Sequence, residues 1–321
     1  MKKIMIIGAG QLGSRHLQGA ARCHLPLEIN VVDRSAKSLD IAKSRVNDIT
    51  TGNSKTRIQY NQKIEANAEI DLCIIATTSN VRFQVLEELI SQCFVKNILF
   101  EKVLFQKVSE YLIVEKLLLK NNIKAWVNCP RRMNPSYKKI QKLLVKETSL
   151  SMIVRGSNWG LACNAIHFID LFSFLTGCPD YELNGSKLDK SVVSSKRPKF
   201  YEAFGRLLGI DSLGNCFHLQ CSPDSITHVE VELISPNYEI LIKEFEGEVL
   251  IFYNGKEFKE RFNQLYQSEL TNLNIEEIIE HGCSSLTSFS ESKKLHLPFI
   301  QLMKKHIEVS LNKSLDSCPI T

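Results

Sequence analysis

Cys163, His167 and Asp170 stand four and three residues apart in the segment Gly160-Leu161-Ala162-Cys163-Asn164-Ala165-Ile166-His167-Phe168-Ile169-Asp170-Leu171. In a helix that spacing puts all three along one face. A histidine oriented by a carboxylate is a general base for a hydroxyl proton. Set among Ile166, Phe168 and Ile169, the same residue also reads as a core histidine hydrogen-bonded to Asp170. Lys102 offers a similar choice. An ammonium at the carboxyl end of a strand can steady the oxygen of a carbinol as it loses hydride, and it can equally be a solvated loop residue. Arg155, Asn158, Trp159 and the Arg131-Arg132 pair are further candidates for substrate or cofactor contacts, with salt bridges and packing as the alternative for each.

A third cluster is built of glycines. Ile4-Met5-Ile6-Ile7 runs directly into Gly8-Ala9-Gly10-Gln11-Leu12-Gly13. In a G-x-G-x-x-G turn the first glycine permits the tight bend, the second lets backbone approach a pyrophosphate, and the third lets the next helix sit close to the strand. The N–H groups and dipole at that helix start hold phosphates. Asp33 ends the next apolar segment, twenty residues beyond Gly13, where an acid meets the ribose hydroxyls of a dinucleotide; capping the following residues is its other role. An acid there repels a 2′-phosphate and favours NAD. Arg34 beside it keeps NADP open.

These residues need a scaffold, and the first part of the chain supplies one by alternating strand and helix patterns. Residues 27–33, 57–60, 71–76, 97–100 and 124–128 read as strands, and 12–21, 81–91 and 110–121 as helices. The continuous apolar run Leu72-Cys73-Ile74-Ile75 has the character of a parallel strand buried on both faces. Alternation at this spacing predicts a doubly wound parallel sheet. Ligands bind outside the carboxyl ends of such strands, which singles out Thr77-Thr78-Ser79-Asn80, Glu101-Lys102-Val103 and Cys129-Pro130-Arg131-Arg132. From about Leu150 the period changes to that of half-buried antiparallel strands, as in His228-Val229-Glu230-Val231-Glu232-Leu233-Ile234, with a hairpin signal at Asn254-Gly255. The C-terminal third returns to helix, notably 298–311.

The composition narrows the function. The 321 residues suit two domains, placed at 1–127 and 128–321. A hydrophobic content of 44% and charged content of 23% are ordinary for a soluble protein. No apolar run reaches bilayer length. Ten cysteines lie scattered, mostly in apolar segments, without zinc spacing. Reduced thiols of that kind place the chain in the cytoplasm. The mild net charge of +5 does not argue for nucleic acid and suits a small anionic substrate.

Taken together, the N-terminal fingerprint, Ala76-Thr77-Thr78, Glu101-Lys102-Val103, Arg131-Arg132-Met133-Asn134-Pro135 and the Gly160 to Leu171 segment resemble the glucose–fructose oxidoreductase/inositol dehydrogenase (Gfo/Idh/MocA) family. The resemblance covers most of the chain, in register. It implies an α/β protein: an N-terminal Rossmann domain, then an α+β domain with a large open, mostly antiparallel sheet that often serves homodimer or homotetramer packing. It implies NAD(P)-dependent oxidation or reduction of a sugar, cyclitol or nucleotide-linked sugar. The lysine of the family's E-K-P motif, which orients the reacting hydroxyl, maps to Lys102, and the acid/base histidine maps to His167. Cofactor contacts are expected from Gly8, Gly10, Gln11, Leu12, Gly13, Asp33, Arg34, Thr77, Thr78, Asn80, Glu101 and Lys102. Substrate contacts are expected from Arg132, Arg155, Asn158, Trp159, Asn164 and His167, and no metal is. Two positions depart from the pattern. Val103 replaces a proline that is often part of a cis peptide, and Cys163 replaces an acid. The family also includes non-catalytic co-regulators, and Cys163 favours that alternative, whereas Lys102 and His167 favour catalysis.

Overall fold

The computed structural model describes residues 1–49, 52–223 and 226–321. The chain forms two compact units. The first comprises residues 1–105, 109–130 and 265–290, and the second 106–108, 131–264 and 291–321.

The sheet of the first unit contains β1 (Lys2–Ile7), β2 (Leu27–Val32), β3 (Arg57–Asn61), β4 (Leu72–Ile75), β5 (Asn97–Glu101) and β6 (Lys124–Asn128). Between them run α1 (Gln11–Ala21), α2 (Ala36–Asn47), α3 (Ser79–Gln92) and α4 (Val108–Lys120). The strand order is β6-β5-β4-β1-β2-β3, and every neighbouring pair is parallel. All four residues of β4 and the last four of β1 are buried. A parallel strand covered by helices on both faces demands such uninterrupted apolar runs. The chain steps outward from β1 through β2 to β3, then returns to the other side of β1 as β4. That reversal is the topological switch point, where the carboxyl ends of strands open a ligand crevice.

The second unit begins with α5 (Pro135–Leu144), capped by the Asn134 side chain and opened by Pro135. It continues through β7 (Ser151–Ser157) and α6 (Leu161–Thr176). Seven further strands of the same sheet follow: β8 (Tyr181–Leu188), β9 (Gly205–Asp211), β10 (Cys216–Ser222), β11 (Glu230–Ile234), β12 (Tyr238–Lys243), β13 (Glu248–Tyr253) and β14 (Lys256–Arg261). The order β8-β9-β10-β7-β11-β12-β13-β14 is antiparallel except between β10 and β7. Side chains of the central strands alternate between buried and more exposed. Met152 and Val154 are buried with their register partners Phe217 and Leu219, and Phe217 meets Phe172 of α6 at a ring separation of 4.9 Å. Burying a side chain of this size contributes roughly 2 kcal/mol. Arg155 and its register partner Gln220 project from the opposite face.

The chain then returns to the first unit as α7 (Gln267–His281) and a two-residue strand, Thr287–Ser288, antiparallel to β6. It ends in the second with α8 (Phe289–Leu311). Here the sequence expectation needs correction. Pro298 does not open this helix but lies inside it, nine residues after its start. An interior proline removes a hydrogen bond and costs about 3 kcal/mol, but the buried stripe Leu295, Phe299, Ile300, Met303 and Ile307 outweighs that cost. All ten cysteines are free thiols, and only Cys283 is exposed. Among the described residues no helix is long and apolar enough to cross a membrane.

Candidate active site

The glycine turn sits at the switch point of the parallel sheet. Gly8 adopts φ +98°, and a Cβ there would lie 3.1 Å from the Ala76 carbonyl carbon and the Thr77 nitrogen. A Cβ on Gly13 would fall 1.7 Å from the Gly8 oxygen, so no other residue fits. Gly10 differs from both. A Cβ there would meet nothing within 4 Å. Gly10 is also the N-cap of α1, which has neither a capping side chain nor an acid in its first turn. By contrast, α2 is capped by Ser35, whose side chain accepts from the Ser38 N–H.

The other candidates gather round this turn. Asp33 follows β2, and its Oδ2 accepts from the Ala9 N–H at 2.7 Å while Oδ1 accepts from the Ser35 N–H at 2.8 Å. The acid is thereby tied to the glycine turn. Arg34 is largely exposed and 3.6 Å from Glu88. Gln11 accepts from Arg45 of α2 at 2.8 Å, and the same guanidinium donates to the Ser14 hydroxyl at 2.6 Å. Leu12 belongs to the first turn of α1. Thr77 follows β4, and its buried Oγ1 has no hydrogen-bond partner. Thr78 is the N-cap of α3, without a side-chain cap bond, and Asn80 is exposed in its first turn.

Glu101 and Lys102 lie at the end of β5. Glu101 is 2% exposed, and its Oε1 is engaged by His16 at 2.7 Å and Asn128 at 2.6 Å. This carboxylate is held inside the protein. The Lys102–Val103 peptide is cis, although Val103 is not a proline. Arg82 of α3, itself 1% exposed, braces the loop by donating to the Leu104 carbonyl at 2.8 Å and to those of Val103 and Thr77. Sequence reading missed both Arg82 and Arg45. Neither has a local signature, because an arginine on an α/β helix ordinarily faces water.

In the second unit α6 is buried along nearly its whole length, but Asn164 and His167 are only half-buried. One helical turn apart, they form a polar stripe on an apolar helix. Asn164 Nδ2 donates to the Trp159 carbonyl at 2.6 Å, Trp159 Nε1 to the Gln220 carbonyl at 2.9 Å, and Asn158 Nδ2 to the Pro223 carbonyl at 2.9 Å. The three candidates preceding or opening α6 thus fold as one linked turn. Glu202 adds a carboxylate that sequence reading missed: its Oε2 accepts from the Ala162 N–H at 3.0 Å, at the start of α6. Cys163 is buried, and burial together with Cys163 nearby holds the Cys318 thiol well above its ordinary range.

Two of the expected substrate contacts, Arg132 and Arg155, each pair with a carboxylate. Arg132 is 7% exposed and grips both carboxylate oxygens of Asp170, at 2.9 and 3.0 Å, with Glu291 at 3.2 Å. A buried bidentate pair of this kind braces the fold. Both oxygens of Asp170 accept from Arg132. Arg155 pairs with Glu232 at 2.7 Å on the sheet face opposite α6. The neighbouring Arg131 is likewise committed, to Glu244 at 2.9 Å through two nitrogens, with its guanidinium 4.1 Å from the centre of the Phe168 ring. Among the described residues no cluster of His, Cys, Asp and Glu could hold a metal.

No protein-family model and no curated protein matches the sequence. Solved structures do match over almost the whole chain. UDP-N-acetylglucosamine 3-dehydrogenase from Acidithiobacillus ferrooxidans aligns with a TM-score of 0.71 at 13% identity, covering 97% of this chain and 99% of that one. For scyllo-inositol dehydrogenase from Lactobacillus casei, solved with NAD(H) and scyllo-inositol, the TM-score is 0.66 at 15% identity, with 98% of each chain covered. A Gfo/Idh/MocA family oxidoreductase from Vibrio cholerae gives 0.68 at 15%, covering 98% and 100%. The chain therefore has the fold of the Gfo/Idh/MocA oxidoreductases: a Rossmann-like parallel sheet and a large, mostly antiparallel one.

Proposed function

We propose that this chain is an NAD(P)-dependent oxidoreductase that moves hydride between nicotinamide and a ring carbon of a sugar, cyclitol or nucleotide-sugar. The observation that carries the reading is the bare first turn of α1, open above Gly10 and beside the tethered Asp33. A pyrophosphate fits that space, its charge favoured by the helix dipole and by Arg45. The buried, partnerless Thr77 Oγ1 is a second feature suited to a bound group at the switch point. Asp33, positioned by two backbone N–H groups, suits the ribose hydroxyls of NAD better than a 2′-phosphate. The fold shared with UDP-N-acetylglucosamine and scyllo-inositol dehydrogenases supports the substrate class.

Nicotinamide, when bound, supplies the hydride acceptor or donor. The chain's own residues handle the hydroxyl. The Lys102 ammonium orients it and steadies the developing alkoxide. His167 takes or returns its proton. Asn164 and Trp159 contribute contacts to the sugar. With Arg131, Arg132 and Arg155 all committed to carboxylates, a neutral ring suits the site better than a uronate. The sheet face carrying the exposed Ile210 and Ile234 is the surface for a homodimer or homotetramer.

Titration with NADH and NADPH, followed by nicotinamide fluorescence and then a panel of keto-sugars and nucleotide-sugars, tests the proposal. Binding with substrate-dependent loss of the reduced signal is expected. Lys102→Ala and His167→Ala each lower turnover by about a hundredfold or more and leave NADH bound. The second reading, a dinucleotide-binding regulator without catalysis, is favoured by Cys163 at the position of the family's acid. Tight NADH binding with no turnover across the panel would select it.

A further inference from the structure

Five side chains of the first unit close a ring of hydrogen bonds on the residue next to Lys102. Glu101 Oε1 meets His16 Nε2 at 2.7 Å. His16 Nδ1 meets Thr271 Oγ1 at 2.9 Å. Gln267 Nε2 donates to Thr271 Oγ1 at 3.0 Å. Asn128 Nδ2 donates to Gln267 Oε1 at 2.8 Å and closes the ring on Glu101 Oε1 at 2.6 Å. His16 and Thr271 are fully buried, and Glu101 and Asn128 nearly so. The members come from α1, β5, β6 and α7, elements far apart in the sequence.

Donor and acceptor chemistry leaves the ring little freedom. Asn128 uses both amide hydrogens, one on each neighbour. Reversed, its oxygen would face the Glu101 carboxylate and the Gln267 oxygen, so its orientation is fixed. Gln267 is fixed in turn, with oxygen toward Asn128 and nitrogen toward Thr271. His16 is held at both ring nitrogens, Nε2 on Glu101 and Nδ1 on Thr271. The one rotor remaining is the Thr271 hydroxyl, shared between His16 Nδ1 and the Gln267 carbonyl 2.9 Å away.

We infer that this ring positions Lys102 for hydride transfer, with His16 and Thr271 acting through Glu101. The inference rests on the dehydrogenase reading for its kinetic consequence. Lys102 leaves the sheet between two immobilised points: Glu101, held by the ring, and Val103-Leu104, held by Arg82. Misplacement of a reacting group by about 1 Å lowers rates by as much as a hundredfold. The ring therefore governs kcat and leaves dinucleotide affinity alone.

The test compares Thr271→Val, which keeps the shape and removes the hydroxyl, with Thr271→Ser, which keeps the hydroxyl. The valine variant is expected to lose about tenfold or more in kcat and some melting temperature, because Gln267 and His16 lose a buried partner, with NADH affinity close to wild type, and the serine variant to recover most of the rate and of the melting temperature. A second measurement needs no substrate: labelling of the apo protein with an amine reagent, read by peptide mass spectrometry. The valine substitution is expected to change the labelling rate at Lys102 but not at Lys107 or Lys124, and serine to restore it. Wild-type kcat and wild-type Lys102 labelling in Thr271→Val would overturn the inference. So would parallel losses of rate, NADH affinity and melting temperature in both variants, which would mark the ring as general scaffold. A wild-type protein that turns over none of the panel would sink the dehydrogenase reading instead, and labelling alone would then decide whether the ring holds Lys102.

Discussion

Three glycines in one turn carry separable roles. Gly13→Ala drives a methyl group into the Gly8 carbonyl, and the expected outcome is a loss of about 1–3 kcal/mol or more of stability, seen in urea unfolding. Gly10→Ala, with φ at −65° and open space around the new methyl, is expected to melt like wild type and to bind NADH at least about tenfold more weakly, because the methyl occupies the space needed for close backbone approach. Equal melting losses in the two variants would count against the phosphate role of Gly10. These positions were legible because their requirement is local, set by residues a few steps apart. The partners of Arg132 and Arg155 were hidden for the opposite reason. An arginine advertises its charge, but Asp170, Glu291 and Glu232, which absorb that charge, are far away in the sequence. Arg82 went unnoticed because its partners are backbone carbonyls, which no side-chain pattern reveals. Arg82→Met leaves those carbonyls unpaired in the interior, and the expected cost is about 3 kcal/mol, measured by chemical denaturation.

At the scale of elements, the link between Arg131, at the lead-in to α5, and the sheet will respond to acid. Burial pushes the Glu244 carboxyl up, but Arg131 and the Tyr137 hydroxyl outweigh it and hold it below the usual carboxylate range. A carboxyl depressed by folding contributes stability that is fully present above its unfolded pKa and is lost as pH falls through the folded value. Urea midpoints are therefore expected to decline below about pH 5, with a shallower decline in Glu244→Gln. Equal slopes would remove Glu244 from the account. The interior Pro298 of α8 gives a prediction of opposite sign: Pro298→Ala restores a backbone donor and is expected to stabilise the protein by about 1–3 kcal/mol. Most strands and helices could be read from the sequence, since buried parallel and half-buried antiparallel strands differ in period. Pro298 misled because its local rule, helix opener, yields to an apolar stripe visible only once Leu295 and Phe299 are packed.

For the molecule as a whole, the unreadable feature is the return of residues 265–290 to the first unit. Helix α7 has ordinary composition, and what assigns it to α1 is close packing at Gly19, where a Cβ would lie 2.6 Å from Thr271 Cβ, together with the His16–Thr271 contact. A fragment of residues 1–130 therefore lacks a covering helix, the edge strand on β6 and two members of the buried ring. It is expected to show helical circular dichroism without a cooperative thermal transition. Joining 265–290 to it through a flexible linker is expected to restore one. A cooperative transition in the short fragment would show that α7 is dispensable.

That interleaving also orders events in time. As the chain leaves the ribosome, the glycine turn emerges more than two hundred and fifty residues before α7, and its unit stays incomplete over that interval. The eight-stranded sheet, contained between Ser151 and Arg261, has all its strands available sooner. Nascent protein thus passes through an interval in which a parallel sheet with all six of its strands waits, its α1 surface uncovered. Quality control acting during synthesis would meet that surface before α7 covers it.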